Sequence, residues 1–366
     1  MRRAAKALLI VLVAVSLLCG IVGGLLRAGV SVGLPSAAAD WLGRAALSHA
    51  ALMVCGFLGT VIGIERAVAV KRREAFVAPV CSGLAGLALL SGQEAVASGL
   101  LLVAASAFVA VNVLVVKRQR AAHTVLLLVS AAAWLAGNLL FAMGRPSTAV
   151  LPWWFAFLVI TIAAERLEMT RLMRRRPGAQ ASLQGVLGLM LVAAAASAAW
   201  PGIGGVLYGA SLTLLALWLA SFDIARRTVA AHGLSRYMAL CLLSGYAWLG
   251  VAGVAWAATA LGFAARDAAL HALGLGFIVG MVMGHAPVIL PAVAGIKLEF
   301  SALFYLPLAM LQGSLALRLF AGFDDAPWRR SGAALNAVAI ALFALTVLIA
   351  AVWWTLKRGR SRPAKA

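Results

Sequence analysis

The chain has 366 residues, 64% of them hydrophobic and 11% charged, and its 31 Lys and Arg against 11 Asp and Glu give a formal net charge of +20. A mean hydropathy of +1.01 lies beyond the range of water-soluble globular domains and requires an integral membrane protein. The positive charge does not signal nucleic acid, because the basic residues fall in short clusters between apolar spans instead of along one stripe.

From the N-terminus, residues 1–20 have the basic flank and apolar core of a signal peptide. The apolar run continues to about Leu26 without an A-x-A site, and Leu18 before Cys19 is a poor lipoprotein cleavage site, so an uncleaved first span is expected. Apolar segments of bilayer length follow at about 45–70, 77–92, 95–116, 123–143, 150–170, 182–199, 203–222, 237–262, 268–290, 301–321 and 332–356, which with 7–26 makes twelve. The expected fold is all-α: one polytopic transmembrane domain over residues 1–366, ending in a short basic tail at 357–366. Alternate connections, beginning with Arg2, Arg3 and Lys6, hold 24 of the 31 Lys and Arg, including Lys71-Arg72-Arg73, Lys117-Arg118, Arg174-Arg175-Arg176 and Arg226-Arg227. The other side holds Arg27, Arg44, Arg145, Arg266, Arg318, Arg329 and Arg330. The positive-inside rule then places both termini in the cytoplasm. Cys19, Cys55, Cys81 and Cys241 lie in apolar segments without metal-binding or c-type haem spacing, and read as small buried hydrophobes.

Intramembrane titratable residues come next. His49 lies about one turn in from the outer surface on span 2, with Gly56 and Gly63 at +7 and +14 on its own helical face, an expected recessed wall suited to a planar macrocycle. Gly59-x-x-x-Gly63 offers the competing reading of helix packing. Glu65, Glu165 and Glu168 stand near the cytoplasmic ends of spans 2 and 6, each within a turn of an arginine, and read as interfacial ion pairs, with a proton path as the sharper alternative. A faint echo links Gly63-Ile-Glu-Arg66 with Ala164-Glu-Arg166 and is too short to make a repeat. His123 and His232 fall in basic turns and are expected to be solvated.

The stretch His271 to Pro291 is expected to be one membrane-spanning helix with two histidines. His271 lies at nearly the depth of His49, and His285 follows 14 residues later, within roughly 40° of the same face and about 21 Å along the helix. Gly276, Gly280 and Gly284 form a ridge on the opposite face for close approach of another helix. Imidazoles in hydrocarbon need a strong partner, and iron is a common one. Beyond His285, Pro287 and Pro291 should kink or break the helix and leave carbonyls beside the ring, giving either a second small metal site or a water-satisfied helix end.

Twelve spans with a histidine at the outer end of span 2 and another at that of span 10 resemble subunit I of the haem-copper oxidases, in which helices II and X supply the axial ligands of the low-spin haem. The arrangement is also similar to NnrS-type haem-copper membrane proteins, associated with nitric-oxide stress. In the oxidases an arginine pair between helices XI and XII holds the haem propionates, and the resemblance puts Arg329 and Arg330 in that role here. Spans 6 and 7 contain no histidine and Ala272-Leu273 follow His271, so no binuclear oxygen-reducing centre carries over. The implied function is a multi-pass inner-membrane protein whose His49 and His271 ligate one b-type haem, for electron transfer or a nitric-oxide or gas response. Copper at a site including His285 and a redox partner protein are further expectations, and whether the chain is an enzyme stays open. The rival readings are a transporter or permease, for which twelve spans and a proline-broken helix suit equally, and a cofactor-free assembly protein.

Overall fold

The computed structural model of the chain describes residues 3–33, 39–169 and 177–360. The basic cluster Arg174-Arg175-Arg176 and the tail beyond residue 360 lie outside the described residues. Among the described residues every regular element is helical. In hydrocarbon each backbone N–H and C=O must find its partner inside the segment, and a helix achieves that from a continuous apolar run.

Among the described residues twelve apolar helices correspond one for one to the twelve apolar segments. They are α1 (Lys6–Arg27), α2 (His49–Val70), α3 (Glu74–Leu90), α4 (Glu94–Arg118), α5 (Ala122–Ala142), α6 (Ser147–Met169), α7 (Ala179–Ala199), α8 (Pro201–Phe222), α9 (Gly233–Ala260), α10 (Arg266–Val293), α11 (Ala302–Ala321) and α12 (Ala326–Lys357). Eleven of these are long and apolar enough to cross a membrane; α3 is the shorter one. Large apolar side chains such as Ile10, Ile203 and Val254 stand more than 60% exposed on their helices, the pattern of a protein whose solvent is lipid. The chain is thus an all-α polytopic membrane protein.

Among the described residues, three of these helices contain a π stretch. In α2 the turn His49–Ala51 leads into an eight-residue π-helix, Leu52–Gly59, before α geometry resumes at Thr60. In α10 the turn Arg266–His271 leads into a second eight-residue π-helix, Ala272–Val279. A third π stretch, Leu317–Ala321, ends α11. A π turn takes more residues than an α turn, so positions beyond it rotate away from where a 3.6-residue period places them. Single π turns inside α-helices are frequent at functional sites.

The chain divides into two compact units. The first comprises residues 1–175 and 184–208. Its core is aromatic: Trp134 of α5 stacks on Phe157 of α6 at 5.0 Å and meets Phe108 of α4 edge-on at 5.7 Å. The indole of Trp134 points its N–H at Cys55 Sγ (3.4 Å), inside the π stretch of α2. Asn138 accepts from Trp154 Nε1 (2.8 Å) and donates to the Leu101 carbonyl (3.1 Å), so three helices share one fully buried amide. Where the π stretch of α2 returns to α geometry, the carbonyls of Cys55 and Gly56 accept hydroxyls from Ser82 and Thr60, each at 2.7 Å.

The second unit comprises residues 176–183 and 209–366. Tyr237, Cys241, Met283, Phe304, Leu308 and Leu311 form its buried centre. Here α10 corrects the sequence expectation. It does not break at its prolines: the helix runs on through Pro287 and Pro291 to Ala294 and ends where Gly295 turns left-handed at φ 72°. Pro287 has no N–H for the carbonyl four residues before it, Met283, and that carbonyl accepts the buried Tyr237 hydroxyl instead (3.2 Å). The vacancy expected beside His285 is therefore filled by a side chain of α9. The glycine ridge is as expected: a Cβ on Gly276 would overlap Trp248, and one on Gly284 would lie 2.9 Å from the Cys241 Cβ, both on α9.

Candidate functional site

His49 opens α2 and is partly buried. Its Nδ1 lies 2.7 Å from the carbonyl oxygen of Gly20 on α1. A carbonyl only accepts, so Nδ1 carries the proton and the lone pair of the neutral ring is on Nε2. α1 can come this close because Gly24 has no side chain: a Cβ there would sit 2.7 Å from His49 Cε1 and 3.1 Å from Nδ1. The glycines expected to form a flat wall below the ring do something else. A Cβ on Gly56 would meet Ser16 Oγ at 2.8 Å, one on Gly59 would meet Trp134 at 2.8 Å, and one on Gly63 would meet Pro79 at 3.2 Å. All three serve helix packing, because the π stretch shifts the register on which the +7 and +14 positions were placed.

His271 stands at the head of the matching π stretch in α10, with 21% of its side chain exposed. Its Nδ1 is 2.9 Å from Asp267 Oδ1 and 3.0 Å from the Asp267 carbonyl oxygen, so here too the proton is on Nδ1. Asp267 is gripped by the buried Arg318, which donates from Nε to Oδ2 at 2.9 Å and from Nη2 to Oδ1 at 2.7 Å, the forked geometry that suits guanidinium to carboxylate. The same Nη2 lies 3.3 Å from His271 Nδ1 and 3.2 Å from Nε2. A nitrogen so nearly equidistant from both and in the ring plane would overlap the carbon between them, so it lies over the face of the imidazole. Arg318 in turn is seated by Gly332 of α12, where a Cβ would be 2.6 Å from the Arg318 Cβ. Asp267 and Arg318 are the residues that sequence reasoning passed over. Asp267-x-x-x-His271 was visible as a one-turn spacing, whereas the 47-residue separation of Arg318 from His271 left no local signal.

The remaining candidates are placed as follows. His285 is partly buried, with Nδ1 2.7 Å from the Met281 carbonyl oxygen on its own helix. Arg329 and Arg330 stand in the opening turns of α12 instead of in a loop: Arg329 donates to the carbonyls of Gly322 (3.4 Å) and Phe323 (3.3 Å) before the helix, and Arg330 to that of Ala326 (3.4 Å). Asp325 caps α12 through the Trp328 amide at 3.0 Å. His232 is exposed as expected. His123 is not: it is only 6% exposed, and its Nε2 lies 4.0 Å from Glu168 Oε1, because the first turn of α5 is packed within its unit instead of lying in a wet loop. Glu165 lies in the field of Glu65, Arg66, Glu168 and Arg166, a mixed cluster at the ends of α2 and α6.

Among the described residues no group of three or more His, Cys, Asp or Glu side chains could hold a metal ion. Copper or zinc held by protein side chains alone needs three or four ligands. Haem iron needs one or two, since the macrocycle supplies the others. His49 and His271, each anchored through Nδ1, match that donor set, because metal-bound histidines as a rule donate their second ring N–H to a carbonyl or carboxylate. No curated protein and no solved structure matches the chain. A family model matches residues 6–352, and the chain belongs to the family described as Domain of unknown function (DUF8744).

Proposed function

We propose that this is a haem protein of the bacterial inner membrane in which His49 and His271 supply imidazole Nε2 atoms to b-type haem, for electron transfer or for a response to nitric oxide or another gas. The observation that carries the reading is the shared setting of the two rings: each lies within a turn ahead of an eight-residue π stretch, His49 before the turn that leads into Leu52 and His271 directly before Ala272, and each is anchored through Nδ1, to Gly20 in one case and to Asp267 in the other. Haem held there supplies one-electron chemistry. The chain's own residues orient the rings and fix their tautomers; Gly24 gives His49 its slot and Arg318 covers a face of His271. Protein purified from haem-replete cells is expected to show a Soret band and the reduced α and β bands of histidine-ligated b-type haem. His49→Ala and His271→Ala should each lower the haem content, and His232→Ala should leave it unchanged. Colourless wild-type protein overturns the reading.

One observation favours a second reading. An ion pair between the buried Arg318 and the half-buried Asp267 is also the kind of pair from which substrate or ion pathways in membrane helix bundles are built. A transporter would be colourless and would lose solute uptake, not haem, when Asp267 is replaced by Asn.

A further inference from the structure

His49 and His271 are anchored differently. The Nδ1–H of His49 meets a neutral carbonyl, whereas that of His271 meets a carboxylate oxygen at 2.9 Å as well as a carbonyl at 3.0 Å. A carboxylate draws the Nδ1 proton toward itself and leaves more electron density on Nε2, which strengthens the ring as a ligand and favours the more highly charged state of a bound metal. The carboxylate is not left to move. Arg318 holds both of its oxygens, at 2.9 and 2.7 Å, and places the same guanidinium over the imidazole face. Its positive charge pulls the opposite way, withdrawing charge from the carboxylate and disfavouring a positive ring. Arg318 is itself fixed by the third π stretch and by the close approach of Gly332.

From this we infer that Asp267 and Arg318 are positioning residues that set the donor strength of the His271 imidazole, and through it the reduction potential of the haem. The inference rests on the haem reading of His271. The two residues act with opposite sign: the carboxylate lowers the potential by stabilising ferric iron, and the guanidinium raises it. A merely structural role would disturb haem binding in the same direction whichever partner were removed.

The test uses the full-length protein purified with its haem, followed by redox titration. Asp267→Asn should shift the midpoint potential upward and Arg318→Gln should shift it downward, with haem still bound. Either variant leaves one charge of the pair without its partner, so the double variant Asp267→Asn with Arg318→Gln, which removes both, guards against failure to fold. In that variant, prepared from haem-depleted cells and labelled with ¹⁵N-histidine, the His271 Nδ1 resonance, assigned by its absence in His271→Gln, should move from its wild-type position. Shifts of the same sign in the two single variants, or an unmoved resonance in the double variant, overturn the inference. Failure of the haem reading looks different: wild-type protein without a Soret band, or His271→Ala with unchanged haem.

Discussion

At Gly24 the orientation of His49 turns on one absent methyl group. A Cβ there would lie 2.7 Å from His49 Cε1, and the ring cannot retreat without giving up its 2.7 Å bond to the Gly20 carbonyl. Gly24→Ala should therefore destabilise the protein by about 1–3 kcal/mol, the usual cost of overpacking, and, under the proposed haem function, lower the haem-to-protein ratio although His49 itself is unchanged. Gly33→Ala, where a Cβ meets nothing within 4 Å, is the control. Equal haem content in the two variants would show that α1 does not position His49. At this scale the sequence was partly readable. The histidines stood out because imidazole is rare and costly in hydrocarbon. The Asp267 partner lies one turn away, whereas the solitary Arg318 carries no local signal that sets it above the adjacent Arg329 and Arg330. Nothing in a linear sequence marks which of seven outer arginines folds back onto a helix 47 residues distant.

Helix type was the least legible property at the scale of elements. Apolar runs such as Leu52–Gly59 and Ala272–Val279 carry no pattern that separates π from α geometry, because nearly every residue in them is hydrophobic. Inferences that stayed within a few residues of a neighbour, such as the Gly276, Gly280 and Gly284 ridge against α9, survived; those that counted 7 or 14 residues through a π stretch, such as the wall below His49, did not. Pro287 teaches the complementary lesson, since it does remove a donor, but a hydroxyl from another helix replaces it. Tyr237→Phe should leave the Met283 carbonyl buried without a donor and cost about 1–3 kcal/mol. Pro287→Ala returns a backbone N–H to that same carbonyl, so Tyr237→Phe should cost about 1 kcal/mol less in the Pro287→Ala background than alone. Thermal unfolding of the four proteins in one detergent measures the coupling. Equal costs in both backgrounds would mean that the hydroxyl is not the replacement donor.

For the molecule as a whole, the count of apolar helices was legible, and the direction in which each one crosses hangs on α3. Its 17 residues, Glu74–Leu90, span about 25 Å at 1.5 Å per residue against a hydrocarbon core of about 30 Å. Two magnitudes decide whether it crosses. Thinning the bilayer to meet a short helix costs fractions of a kcal/mol per Å, so a shortfall of about 5 Å is tolerable. Leaving α3 on one side would reverse every later helix and reduce the division of Lys and Arg from 24 against 7 to 19 against 12, discarding most of the bias that orients the chain. The short helix is therefore expected to cross, with both termini in the cytoplasm. A fluorescent-protein fusion at the C-terminus should be fluorescent, and an alkaline phosphatase fusion in the turn after Leu90 should be active, because the first folds only in the cytoplasm and the second only outside it. A cytoplasmic C-terminus together with an N-terminus found outside would make α3 a helix that dips without crossing, since the side with 19 Lys and Arg would then hold the C-terminal tail. The sequence expectation of equal depth for His49 and His271 would then fall, since α2 and α10 would run in opposite directions.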